Sequence, residues 1–418
     1  MLRTHPISAR SWRVGLAAVA ATGLAIRLLY VLLLVGDDPV AGDAIYYSAQ
    51  ADAIADGRGF EHPFTGEPAA DHPPATAVIL APASLGDGDP LFRQRITMAL
   101  LGTVAVLAIA RLGREVAGEA AGLAAGGLAA LHPGLWVNDG LAMSETPTTL
   151  ITALVLLVAL RWRRGDAPAW QLGVLGGLAV LTRAELGLLM ALVVIPVGLT
   201  GPWPARLRRV GAVALVALLV VAPWTVRNVL RFEEPVLVST NDGLTLRGAN
   251  CDPSYFVGVG FWHLSCAEPV DGDQSEVSAE YRRQAVGYIG DHLDRVPTVL
   301  AARLARVWSV WEVDEMTYLN RGEGRPRTVS WLAAIAWWGL VPLAAAGAWS
   351  ARRQQALLLV LGAPFVTVTI TALATYGIPR FRLPAEVAAI AAASIVAAAA
   401  HRRWADRRTV GDPVPEAS

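Results

Sequence analysis

Apolar residues along this chain fall in long blocks separated by short polar turns. The first block runs from Val14 to Val35. Others cover 95–112, 118–137, 146–162, 170–182, 186–201, 210–226, 329–350, 356–375 and 384–400. A transmembrane helix needs roughly 20 predominantly apolar residues. The pattern therefore predicts an all-α polytopic membrane protein with about ten spans. Several blocks are short or carry Pro and Gly, which widens the count to between about 8 and 13. The first block follows Arg3, Arg10 and Arg13, as a signal peptide would. Its apolar stretch is longer than a cleaved signal core, and no small-x-small site ends it, so it reads as an uncleaved helix.

Arginines orient the blocks. Arg111–Arg114, Arg161–Arg164, Arg206–Arg209, Arg352–Arg353 and Arg402–Arg408 recur at every second helix end, as the positive-inside rule expects. The prediction is a plasma-membrane protein with both termini cytoplasmic and most acids on the outer side. Its layout would be a cytoplasmic N-terminus over 1–13 and a transmembrane module over 14–228 with an outer loop at 36–93. An extracytoplasmic segment at 229–328, C-terminal helices at 329–400 and a cytoplasmic tail at 401–418 follow.

Two polar stretches interrupt the bundle. Gly36 to Arg93 contains a short apolar run, Pro74–Leu85, that reads as an interfacial or half-buried helix. Phe232 to Val296 is a larger outer segment, followed by an Arg-rich amphipathic stretch, Pro297–Glu312, ending in Trp308 and Trp311. Loops beyond about 15 residues are usually functional or disordered, and the polar and aromatic content here favours function. The run Ala388–Ala400 reads as low-complexity helix filler, and the tail after Arg408 as disordered. No internal repeat is evident.

Composition agrees and removes other classes. Hydrophobic residues make up 54% of the 418 and charged residues only 17%, against about 25% charged in soluble domains. Lys plus Arg and Asp plus Glu each number 35, giving zero net charge, which speaks against a nucleic-acid partner. Every basic residue is Arg.

The candidate chemistry lies at the outer helix ends. Asp43, Tyr46 or Tyr47, and Gln50 are spaced to share one helical face. An acid there suits a general base facing an interfacial substrate; the same spacing also fits a solvated acid at a helix N-terminus. Glu61-His62-Pro63 and Asp71-His72-Pro73-Pro74 put His and acids in one loop, yet no tight metal-ligand spacing appears. Arg95, Ser144-Glu145, Arg183 with Glu185, Arg227 and the Tyr376–Pro384 turn, with Arg380 and Arg382, all fall at outer ends. Singly each reads as a snorkelling anchor. Together they suit a lipid phosphate, which Arg grips with two parallel hydrogen bonds. Arg27, inside the first block, reads as a helix-packing partner or a snorkeler and takes no assigned role. Cys251 and Cys266, both in the outer segment, permit a disulfide worth about 3 kcal/mol, the alternative being two free thiols.

These residues resemble the GT-C membrane glycosyltransferases that use polyprenyl-phosphate sugars, and within them glycosyltransferase family 39, which includes protein O-mannosyltransferases and aminoarabinose transferases. The resemblance rests on Gly42-Asp43-Ala-Ile-Tyr46, His72-Pro73-Pro74, the Arg95 helix start, Ser144-Glu145 and Leu181-Thr182-Arg183. It continues through Pro223-Trp224-Thr225-Val226-Arg227-Asn228, Val238–Gly243 and Tyr376–Arg382. It implies a GT-C-like bundle with outer juxtamembrane helices and a catalytic acid at Asp43. Many members carry two adjacent acids, whereas here Ala44 follows. Glu145 would be a second site acid. Tyr46, Tyr47, His72, Arg95, Arg183, Arg227, Arg380 and Arg382 would bind substrate. The implied partners are a polyprenyl-phosphate sugar donor, a lipid, polysaccharide or protein acceptor, and membrane lipids. No cofactor is required; a divalent metal is compatible.

The implied reaction is inverting transfer of a hexose or pentose on the outer face. A transporter or lipid flippase is the alternative, though such proteins tend to show paired repeats and broken helices near the bilayer centre. A non-catalytic scaffold with a partner-binding outer segment is a third reading.

Overall fold

A computed structural model describes residues 7–36, 38–198 and 202–411. Of the predicted cytoplasmic N-terminus, residues 1–6 lie outside the described residues, as do 199–201 at the end of the sixth apolar block and the tail from 412 onward. Helix continues through the predicted start of tail disorder at Arg408, to Gly411.

Every apolar block folds as helix. α1 (Ala9–Tyr30) runs on through a wider π turn at Val31–Val35. The first polar stretch contributes α2 (Asp43–Ala55) and α3 (Ala75–Ser84). Then come α4 (Pro90–Ala117), α5 (Glu119–Leu131), the single turn α6 (Pro133–Trp136), α7 (Glu145–Arg164), α8 (Ala169–Thr182), α9 (Leu186–Gly198) and α10 (Trp203–Val229). The second polar stretch folds as α11 (Asn241–Ala249), α12 (Gln274–Asp291), α13 (Val296–Val307) and α14 (Val313–Leu319). The chain closes with α15 (Arg327–Ser350), α16 (Gln355–Ala374) and α17 (Leu383–Gly411). Among the described residues there is no strand, only an isolated bridge between Glu61 and Pro68.

Local signals set the ends. Asp89 caps α4 by accepting from the Leu91 N–H at 3.0 Å, with Pro90 at the first helical position, where its missing N–H costs nothing. Asp273 and Glu276 form a reciprocal capping box at α12.

Among the described residues, seven helices are long and apolar enough to cross a membrane, making this a multi-pass membrane protein: α1 with its π turn, α4, α7, α10, α15, α16 and the span Pro379–Trp404 that includes α17. Three of the ten predicted spans are shorter. α5 and α8 have 13 and 14 residues, which at 1.5 Å per residue reach only roughly 20 Å, and α9 has 13 among the described residues. They pack alongside longer neighbours, α5 on α4 and α17, α8 on α10.

α17 is the central post. It packs against α4, α5, α7, α15 and α16, and every residue from Arg382 to Ile395 is buried. The sequence reading of Ala388–Ala400 as filler is therefore corrected. Small side chains there let neighbouring backbones approach closely, the usual basis of helix adhesion in lipid. At Gly347 of α15 a Cβ would lie 1.9 Å from the Ala392 carbonyl oxygen, so only glycine fits that crossing.

Arg27 is neither free nor snorkelling. Its guanidinium meets Asp139 at 2.6 Å, with side-chain exposures of 1% and 4%, and Thr146 donates to the other Asp139 oxygen at 2.6 Å. This pair ties α1 to the loop before α7. In the second polar stretch Cys251 and Cys266 are joined by a disulfide.

Candidate active site

Five segments distant in sequence converge at one end of the bundle. Asp43 is the first residue of α2, and Tyr47 lies one turn on. His72 comes from the loop before α3. Ser144 and Glu145 open α7, and Arg183 caps the end of α8. Tyr376 and Arg380 lie on the link between α16 and α17. Asp43, Tyr47, His72, Ser144, Arg183 and Arg380 line a cavity of about 330 Å³.

Gly42 explains how Asp43 reaches this position. Its φ of +58° is open chiefly to glycine, and a Cβ there would meet Glu323 at 3.2–3.3 Å. The chain thus turns sharply against the segment around Glu323 and presents Asp43 to the cavity.

The charges form one network. Arg380 Nη1 lies 2.8 Å from Asp43, 3.1 Å from Glu323 and 3.5 Å from Glu145. Arg183 donates to Glu185 at 2.5 Å and lies 3.5 Å from Glu145. Arg325 pairs with Glu323 and lies 3.6 Å from Glu145. Glu145, with no exposed side-chain surface, therefore sits among three guanidiniums, and neither carboxylate oxygen receives a direct protein hydrogen bond. A buried carboxylate so placed offsets the repulsion among the three cations around it.

Asp43 keeps 38% of its side chain open to the cavity. The surrounding protein draws it out of water, which pushes the carboxyl up. Arg380, His72 and Arg183 outweigh that effect and hold it well below the usual carboxylate range. Burial pushes the His72 imidazole down despite Asp43 and Asp71, favouring the neutral ring. That ring stacks on Tyr47 at 4.7 Å and meets the edge of Tyr46 at 5.1 Å.

Other sequence candidates fall elsewhere. Tyr46 donates to Gln50 at 3.1 Å, beneath the His72 ring. Arg95 donates to the carbonyls of Val35, Gly36 and Asp38, at the end of the π turn that extends α1. Arg227 donates to the carbonyls of Phe60 at 2.6 Å and Ala69 at 2.8 Å and lies over the Trp224 ring, fastening the first loop to α10. Arg382 is 2% exposed and engaged with Glu386 at 2.8 Å and Ser309 at 2.7 Å. These three arginines bind protein oxygens and stand outside the cavity. Glu323 and Arg325 were not singled out from sequence. Their one signal is the glycine-rich, sign-alternating run Arg321-Gly-Glu323-Gly-Arg325 just before an apolar block. Among the described residues no three His, Cys, Asp or Glu side chains gather as a metal-ligand set.

The arrangement places one ionised acid beside two arginines in a cavity at a helix-bundle end. It can accept a proton on one side and hold a phosphate on the other. Residues 71–226 match the family model described as dolichyl-phosphate-mannose-protein mannosyltransferase; that stretch includes His72, Glu145 and Arg183 but neither Asp43 nor Arg380. No curated protein matches the chain by sequence. Among solved structures, the archaeal oligosaccharyltransferase AglB from Archaeoglobus fulgidus, in complex with an inhibitory peptide and a dolichol-phosphate, is similar with TM-score 0.57 and 14% identity. The match covers 97% of this chain and 52% of that one. The apo form of the Archaeoglobus fulgidus oligosaccharyltransferase matches with TM-score 0.57 and 14% identity over 98% and 53% of the two chains. ArnT from Cupriavidus metallidurans bound to undecaprenyl phosphate matches at 16% identity and TM-score 0.42, over 98% and 82%. The chain thus spans about half the length of the archaeal structures it resembles. In fold, this chain is similar to the archaeal oligosaccharyltransferase structures.

Proposed function

We propose that the protein is an inverting glycosyltransferase that moves a sugar from a polyprenyl-phosphate donor to a hydroxyl of a cell-envelope acceptor on the outer face of the membrane. The observation that carries this reading is the contact of Asp43 with Arg380 in a cavity that Arg183 also lines. The dolichol-phosphate complex of the archaeal relative supports the donor class.

In this mechanism the donor phosphate takes Arg380 and Arg183 as partners, and Arg380 turns away from Asp43. The freed carboxylate accepts the proton of the acceptor hydroxyl as its oxygen attacks the anomeric carbon. The bond from that carbon to the phosphate oxygen breaks, and polyprenyl phosphate leaves with the electron pair. One carboxylate suffices, because a phosphate needs no protonation to leave; glycosidases generally use two. The arginines stabilise the departing charge.

Orientation follows from the opposite end. Arg161 and Arg164 close α7 roughly 30 Å from Glu145, and Arg13, Arg111 and Arg114 gather with them around one surface hollow. That basic end suits the cytoplasm under the positive-inside rule and supports an outer-facing cavity.

The test compares envelope glycans of a deletion strain complemented with wild type or with Asp43→Asn. Loss of one glycan modification, restored by wild type and not by Asp43→Asn, supports the reading. Full restoration by Asp43→Asn refutes Asp43 as the base.

A further inference from the structure

The cavity has a wall that the catalytic network does not use. Ser239 and α11 residues Asn241 and Thr245 face the cavity that Asp43 and Arg380 line. This wall is firmly mounted. The Thr240 N–H donates to the Ala70 carbonyl at 2.8 Å, and the Gly243 N–H to Ser278 Oγ at 3.2 Å. Ser278 Oγ donates back to the Thr240 carbonyl at 2.6 Å. Gly243 lies so close to α12 that a Cβ would come within 2.2 Å of the Ser278 carbonyl oxygen. Side chains on such a mount meet a ligand with little ordering left to lose.

Before a donor enters, the charges around the cavity are matched, and in the reaction proposed above the acceptor hydroxyl takes up the freed Asp43. Arg380 holds Asp43 and Arg183 holds Glu185. Asp242, the acid on the same wall, is engaged on both oxygens, by Arg282 at 2.7 Å and Ser278 at 3.2 Å. What the wall offers besides is neutral: two hydroxyls and a carboxamide, able both to donate and to accept. Sugar hydroxyls have that same dual character. An ammonium-bearing sugar would want an uncommitted acid on this wall, and a carboxylate-bearing sugar would compete with the donor phosphate for Arg183 and Arg380.

We infer that Ser239, Asn241 and Thr245 form the wall that reads the transferred sugar, and that it reads an uncharged one. This rests on the glycosyl-transfer reading above and adds to it the class of the sugar and the residues that select it.

The experiment measures binding, in lipid nanodiscs and without acceptor, of undecaprenyl phosphate, undecaprenyl-phosphate glucose and mannose, and the 4-amino-4-deoxyarabinose and glucuronic acid counterparts. At least one neutral-sugar lipid should bind about tenfold more tightly than bare undecaprenyl phosphate, and the charged-sugar lipids should not. Asn241→Ala and Thr245→Val should remove that advantage while binding bare undecaprenyl phosphate as wild type does, which also reports an intact fold. Asn241→Asp should shift preference toward the amino-sugar lipid. The inference is overturned if a charged-sugar lipid binds as tightly as the best neutral one, or if the variants keep the wild-type ratio. Failure of undecaprenyl phosphate itself to bind would remove the glycosyl-transfer reading, and this inference with it.

Discussion

Arg380 donates to the Asp43 carboxylate at 2.8 Å, joining residues 337 positions apart in the chain. The first loop and the last helix connection thus complete one site. The contact also keeps Asp43 ionised, and this gives the reaction a definite pH signature.

In the wild type the Asp43 carboxyl titrates below the usual carboxylate range, so its ionised form persists at mildly acidic pH. Arg380→Ala removes the largest opposing charge while the burial that raises the carboxyl stays. The Asp43 pKa should therefore rise, and the acid limb of the rate–pH profile should move to higher pH. Overall turnover should also fall, because the donor phosphate loses a guanidinium. A pH profile of kcat/KM, which reports the free enzyme where Arg380 contacts Asp43, checks both effects; an unmoved acid limb would separate Asp43 from the rate.

Arg183 and Arg227 should behave differently although both close helices at the same end of the bundle. Arg183→Ala should weaken undecaprenyl phosphate binding by about 10- to 100-fold, the range for losing a charge-assisted hydrogen bond. Arg227→Ala should leave that affinity near wild type and lower thermal stability instead, because it releases the carbonyls of Phe60 and Ala69. Binding titrations and thermal melts of the two variants distinguish these outcomes.

Glu145→Gln should destabilise the folded protein by about 3–5 kcal/mol, since it leaves Arg183, Arg325 and Arg380 gathered without their shared buried anion. Melting should recover in part when Arg325→Met is added, because one uncompensated charge is then gone. A double-mutant cycle on melting temperature measures the coupling.

Breaking the Cys251–Cys266 bond by Cys266→Ser should cost about 3 kcal/mol through the freed loop. Reductant on the wild type should give the same loss of melting temperature and have no further effect on the variant.

Much of the architecture can be read from hydropathy, because a bilayer forces backbone polar groups into helices. Each apolar block became a helix, and the Pro74–Leu85 run became α3. The site was legible where chemistry and position coincide: Asp43, Tyr47, His72, Arg183 and Arg380 all reach the cavity. Arg95, Arg227 and Arg382 have the same residue type and similar surroundings in sequence, yet their guanidiniums turn to protein oxygens. Sequence fixes that an arginine sits at a helix end but carries no signal for the direction its side chain takes. Glu323 and Arg325 escaped notice because the turn at Gly42, which presses the first loop against them, is a tertiary contact. Among the described residues seven helices are full-length spans, and the shorter α5 and α8 lean on longer partners instead of reaching across alone.

The alanine-rich post, α17, raises a problem of indexing. Along its methyl-covered stretches a slip of one residue changes little, so few contacts besides the Gly347 crossing mark the register. The polar residues at its start supply that mark. Arg382 engages Glu386 within the helix and Val307 and Ser309 across it, and Glu386 faces His132 at 4.0 Å. These contacts act as an alignment key for a rod of mostly small side chains, and because Arg380 lies two residues away, they also set how high its guanidinium stands in the cavity.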